Sequence, residues 1–118
     1  MRIIASSFLL CLLGLTAEAA TLQTPSLFRP AGSSLVCSAG NAGKKPLDVT
    51  VDFLSPGGAV VETKNLLGIQ PGGSGAQDST DGGAVTCRFR FKGSARNVRA
   101  AGCTLTGPSI CSPVVDAR

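Results

Sequence analysis

Residues 84–92 alternate so strictly that only an extended strand accommodates them. Val85, Cys87, Phe89 and Phe91 fall on one face and Thr86, Arg88, Arg90 and Lys92 on the other. That period of two belongs to a half-buried strand; a helix would scatter the same residues around its circumference. Gly93-Ser94 breaks the run, and the segment through Arg96, Val98, Arg99 and Cys103 to Leu105 is predicted to return as the second arm of a β-hairpin spanning residues 84–105. One face of this hairpin is core and the other is wet and basic.

The first residues stand apart from the fold. Met1-Arg2 gives a positive start, Ile3 to Leu15 is apolar apart from small residues, and Ala17-Glu18-Ala19 is an A-x-A cleavage pattern, so residues 1–19 are expected to be a secretory signal peptide cut after Ala19. The apolar run is too short for a membrane span, which needs about 18 residues or more. Leu10 before Cys11 also argues against a lipid anchor on that cysteine.

Removing 19 of the 118 residues leaves 99, the length of one domain, residues 20–118. With Gly14 gone, 14 glycines and 7 prolines remain, which implies many turns and stays below the roughly 25–30% at which disorder becomes the default. Loss of Arg2 and Glu18 leaves the net charge at +4, enough to favour anionic surfaces but far from a dedicated nucleic-acid binder. Cys37, Cys87, Cys103 and Cys111 remain. An even set in a short exported chain reads as two disulfides made in an oxidising compartment. Zinc is a poor alternative, since the chain has no histidine and no CxxC pair.

Along the chain, residues 21–33 read as an extended lead-in with a short edge strand at Leu27-Phe28. Leu35 to Ala39 forms a first core strand. Leu47 to Phe53 is the clearest strand after the hairpin, with Leu47, Val49, Val51 and Phe53 inward and Asp48, Thr50 and Asp52 on the solvent face. Ser55-Pro56-Gly57-Gly58 is a turn, and Ala59 to Lys64 is its hairpin partner. Leu66 to Ile69 is either a crossing segment or the end of that strand. Gln70 to Ser74 is a turn, Gly75 to Asp78 a weak strand, and Thr106 onward a tail tied back by Cys111. Short alternating strands with turn signals every 8 to 12 residues mark an all-β sandwich or barrel.

The order of these features resembles an immunoglobulin-like or fibronectin-like β-sandwich: Cys37 on an early strand, an amphipathic strand at 47–53, Pro71-Gly72 in a turn, and Cys87 on the penultimate strand. It is also similar to small exported bacterial proteins of unknown function with a strand, PGG turn, CRF strand and VRA strand in that order. The chain lacks the tryptophan that packs on the inter-sheet disulfide of antibody domains, and Val85 stands where those domains place a tyrosine. The resemblance therefore implies the architecture, an antiparallel sandwich of about seven strands. It further implies a Cys37–Cys87 disulfide between the sheets and a Cys103–Cys111 disulfide pinning the tail. A Cys87–Cys103 disulfide across the hairpin remains the alternative.

Candidate chemistry is sparse. Without histidine, no Ser-His-Asp or Cys-His arrangement can be built. Asp48 and Asp52 read as surface carboxylates; if strand 47–53 lies beside strand 84–92, as the sandwich implies, they oppose Arg88 and Arg90 as cross-strand pairs. Asp78 and Asp81 before Gly82-Gly83 read as a polar turn rather than a calcium loop. Gly72 to Gly75 lacks the lysine of a P-loop.

The basic set Arg88, Arg90, Lys92, Arg96 and Arg99 is the one functional hint, because the hairpin would gather it into a positive patch for an anionic polymer such as lipopolysaccharide. The chain is thus expected to be a secreted or periplasmic, non-catalytic module without a cofactor. Its expected partner is a protein or a cell-envelope component, and no specific nucleic-acid partner is expected. Polyanion binding by the basic face is the alternative, and a hydrolase is the weakest reading.

Overall fold

A computed structural model describes residues 19–107 and 110–118, apart from the side chains of residues 112 and 113. The signal-peptide reading falls almost wholly on residues 1–18, outside the described residues. Eight strands form: β1 (Ala19–Gln23), β2 (Ser34–Asn41), β3 (Leu47–Leu54), β4 (Val60–Ile69), β5 (Ser74–Ser79), β6 (Thr86–Lys92), β7 (Val98–Leu105) and β8 (Cys111–Asp116). They build two antiparallel four-stranded sheets, ordered β1-β6-β3-β4 and β5-β2-β7-β8. Among the described residues no helix is long and apolar enough to cross a membrane.

The alternation puts the core where the pattern requires it. Leu35, Cys37 and Ala39 of β2 face Val49, Val51 and Phe53 of β3 and Cys87, Phe89 and Phe91 of β6, all buried. Leu66 and Ile69, the end of β4, close one side of this layer, and Val98 and Ala100 of β7 complete it. Full burial of a side chain such as Phe53 or Phe89 contributes about 1.5–3 kcal/mol, so the period of two in β3 and β6 accounts for much of the driving force.

The hairpin predicted over residues 84–105 does not form. β6 pairs with β1 and β3, β7 pairs with β2 and β8, and the two consecutive strands lie in opposite sheets. The connection explains the difference. Gly93 adopts φ +113°, open to glycine but strained for other residues, and Ser94 caps a single 3-10 turn over Ala95–Asn97 that carries the chain across the sandwich. A two-residue turn would have returned it along the same sheet.

Two other expectations are corrected. Leu27-Phe28 forms no edge strand: Pro25 and Pro30 remove ladder donors on either side, and the pair is held by isolated bonds instead of a ladder, the Leu27 N–H donating to the Val85 carbonyl at 2.8 Å and the Phe28 carbonyl accepting from the Thr104 hydroxyl at 3.0 Å. The segment after Thr106 is more than a tail, because it returns as β8 with Val114 opposite Cys103 and Val115 opposite Gly102. With Leu27-Phe28 lost and both β8 and β1, at the start of the lead-in, gained, there are eight strands among the described residues against about seven expected.

Candidate functional site

The structure joins Cys37 to Cys87 between the sheets and Cys103 to Cys111 between β7 and β8, with Cα–Cα separations of 5.8 and 5.4 Å. The Cys87–Cys103 alternative required a β6–β7 hairpin and has no counterpart. Gly102 lies opposite Cys37 in the β2–β7 register, and a Cβ built there would sit 2.9 Å from the Cys87 sulfur. The space beside the disulfide is thus filled by the close approach of β7 backbone, where an antibody domain packs a tryptophan.

Asp52 is not a surface carboxylate. It keeps only 1% of its accessible surface, although its position in β3 points it away from the core. Register explains the burial: Arg88 of β6 is directly opposite on one side and Thr63 of β4 on the other, with Arg90 two pairs further along on the same face. Arg88 Nε donates to Oδ2 at 3.0 Å with its Nη2 2.9 Å from the same oxygen as an ion pair, Arg90 Nε donates to Oδ2 at 2.7 Å and Nη2 to Oδ1 at 3.0 Å, and the Thr63 hydroxyl donates to Oδ1 at 2.9 Å. Long side chains laid across the outer face do the burying. Burial alone would raise the carboxyl pKa, but the bonds from Arg90, Arg88 and Thr63 outweigh it and hold the group below its ordinary value. A carboxylate so engaged is a structural anion, with no lone pair left for acid–base work.

Asp48 stays exposed and accepts a 2.7 Å bond from the Gly68 N–H, where the β3–β4 register shifts. Asp81 bonds the Gly83 N–H at 2.8 Å, the geometry of a polar turn. Among the described residues no group of three or more potential metal-ligating side chains comes together.

The basic set does not assemble as one face. Arg88 and Arg90 are folded onto Asp52, while Lys92 ends β6 and is exposed. Arg96 lies in the 3-10 turn, and Arg99 is on the outer face of the second sheet, where its Nη1 donates to the Arg96 carbonyl at 3.0 Å. The patch was an inference from hairpin pairing, and the structure does not contain that hairpin.

Two groups of cations escaped the sequence reading. Arg29 donates from Nη1 to the Asp81 and Ala84 carbonyls, the latter at 2.7 Å, and from Nη2 to the Ser33 carbonyl. It thereby ties the 24–33 lead-in to the β5–β6 loop. At the opposite end, Lys44 and Lys45 of the β2–β3 loop join Lys92 around an open recess of about 520 Å³. Adjacent lysines between Gly43 and Pro46 were the available signal, although loop residues from separate connections cannot be brought together by local pattern. No family model, curated protein or solved structure matches this chain.

Proposed function

We propose that residues 20–118 are an exported, non-catalytic β-sandwich that acts as a binding module outside the cytosol. The observation that carries this reading is the Asp52 cluster. The carboxylate and the two guanidinium groups best placed for chemistry on the outer face are spent on one another, which makes that face a rigid polar surface. Two disulfides in so short a chain support an oxidising location, the periplasm or the medium. Cleavage after Ala19 fits the strand geometry, because it removes only the outermost rung, Ala19 opposite Lys92, and leaves Ala20–Gln23 paired with β6.

The cysteine-bearing centre supports an immunoglobulin-like reading, with β2 and β5 in one sheet, β3 and β6 in the other, and a disulfide between them. The flanking strands are exchanged relative to that arrangement: β1 lies beside β6, and β7 beside β2. A binding face running through Arg88, Arg90, Lys92, Arg96 and Arg99 has less support, because two of its members are engaged with Asp52 and Arg99 belongs to the other sheet.

Expression of the full chain in a bacterial host, followed by fractionation, intact mass and thiol titration, tests the reading. The expected product begins at Ala20, carries no free thiol and leaves the cytosol. A full-length cytosolic chain with titratable sulfhydryls would overturn it.

A further inference from the structure

The end of the sandwich that carries the β2–β3 and β6–β7 connections is built as a receptacle. Lys44 and Lys45 come from the first connection, Ser94 and Asn97 from the second, and Lys92 from the end of β6 that leads into it. Leu47 and Val98 add an apolar wall. No carboxylate lines the recess, and none of the three lysines belongs to an ion pair among the described residues. Its volume falls in the range of small-ligand sites, roughly 300–1,000 Å³.

The lysines sit on a braced frame. Asn41, 5% exposed, donates from Nδ2 to the Lys45 carbonyl at 2.7 Å and to the Ile69 carbonyl at 2.8 Å, while its Oδ1 accepts from the Gly43 N–H at 2.9 Å. The Ala42 N–H donates to the Asn97 carbonyl at 2.8 Å and locks the two connections together. One buried amide therefore fixes the loop that holds Lys44 and Lys45, and binding there loses little entropy to loop ordering.

We infer that this recess binds a phosphate-bearing anion. Three lysines, two from the β2–β3 loop and one from the end of β6, line a common volume with point charges. That arrangement suits a tetrahedral oxyanion better than a planar carboxylate, which calls for the flat fork of an arginine. A phosphate monoester carries about −1.5 to −2 charges at neutral pH, close to what the lysines can neutralise. The hydroxyl of Ser94 and the amide of Asn97 add neutral donors, and Leu47 with Val98 leaves room for a small organic portion. The inference deepens the binding-module reading and rests on it for biological meaning, but not for its test.

Titration of the oxidised protein with pyrophosphate and with glucose 6-phosphate, followed by amide NMR, should move the signals of residues 41–47 and 92–98 before any others. Cosedimentation with phosphatidylcholine vesicles, with and without phosphatidic acid, forms the second arm. Response to the soluble phosphates alone identifies a free metabolite-like ligand, and response to phosphatidic acid alone identifies a lipid headgroup; either supports the site. Lys92→Gln should weaken binding about ten-fold, the effect of one charge-assisted hydrogen bond. The double variant Lys44→Gln/Lys45→Gln should weaken it further, whereas Lys64→Gln/Arg118→Gln, which removes the same charge elsewhere, should change it less than two-fold by screening.

Equal losses in the two double variants would reduce the effect to net charge and overturn the inference. Absence of response in both arms would overturn it as well. That failure is distinguishable from failure of the export reading, because processing and thiol oxidation are measured separately.

Discussion

The two ends of the sandwich use their cations in opposite ways. At the end holding the 24–33 lead-in and the β5–β6 loop, the Arg29 guanidinium is consumed by carbonyls of three residues, Ser33, Asp81 and Ala84. Thr24 exchanges bonds with Cys87 nearby, its N–H donating to the Cys87 carbonyl at 2.9 Å and its hydroxyl accepting from the Cys87 N–H at 3.0 Å. Both disulfides lie in this half: Cys87 is the second residue of β6, and Cys111 opposes the last residue of β7. The opposite end has no covalent clamp among the described residues, and its lysines surround a recess instead of filling it. A planar five-donor group satisfies loop carbonyls well, whereas an ammonium on a flexible stem stays hydrated and available. One half is therefore sealed by disulfides and arginine bonds, with a smaller recess of about 220 Å³ beside Arg29, and the other leaves its lysines around the larger one.

If that contrast is right, the largest effect on stability comes from cutting the sealed half. Replacing Cys37 and Cys87 by alanine releases a loop with a sequence separation of 50 and should cost about 4 kcal/mol in urea unfolding. The Cys103/Cys111 pair, separated by 8, should cost about 2.5 kcal/mol on the same loop-entropy scaling. Negligible losses for both pairs would mean that the covalent clamp is not what distinguishes the two halves.

Asp52→Asn should come next, at about 2 kcal/mol near neutral pH. Breaking a buried charge cluster costs more than that, but the Arg88 and Arg90 side chains remain 30% and 50% exposed, so solvent screens part of the loss. The sign with pH follows from the lowered carboxyl pKa. Its contribution is complete above the unfolded-state value, about 3.9, and disappears as pH falls through the lower folded-state value. Unfolding curves of the native chain and the variant should converge under strongly acidic conditions; a gap unchanged by acid would show that the ion cluster contributes through shape alone.

The sharpest comparison is between cations. Arg29→Met keeps the apolar stem but leaves the part-buried Ser33 and Ala84 carbonyls without this donor, a loss of about 2 kcal/mol. Lys44→Gln/Lys45→Gln should stay within about 0.5 kcal/mol of the native chain, as surface substitutions do. Thermal unfolding of both variants reads the difference, and a strongly destabilised lysine variant would mean that the recess is a structural element.

Legibility in the sequence followed the range of the signal. Val49 to Phe53 and Cys87 to Phe91 announced their buried faces because side chains of a strand alternate whatever its neighbours are. Asp52 was misread for the complementary reason. Its parity is solvent-facing, and only the register that sets Arg88 and Thr63 on either side covers it. Arg29 gave no sign of its tie to the β5–β6 loop, since the two partners there lie 52 and 55 residues away along the chain.

What the chain alone determined, then, is a set of short extended segments with one apolar face each, and four cysteines able to clamp them. Both follow from composition and period. Which segment lies beside which was decided in three dimensions. β6 and β7 are consecutive and look like two arms of one hairpin, yet the 3-10 turn delivers β7 to the sheet of β2, and both edges of β6 are taken by β1 and β3. Pairing is a competition among all strands for edges and for burial, and a local pattern contains only one competitor at a time. The same competition separated Arg99 from Arg88 and brought Lys92 to Lys44 and Lys45, so the candidate binding surface belongs to the tertiary structure.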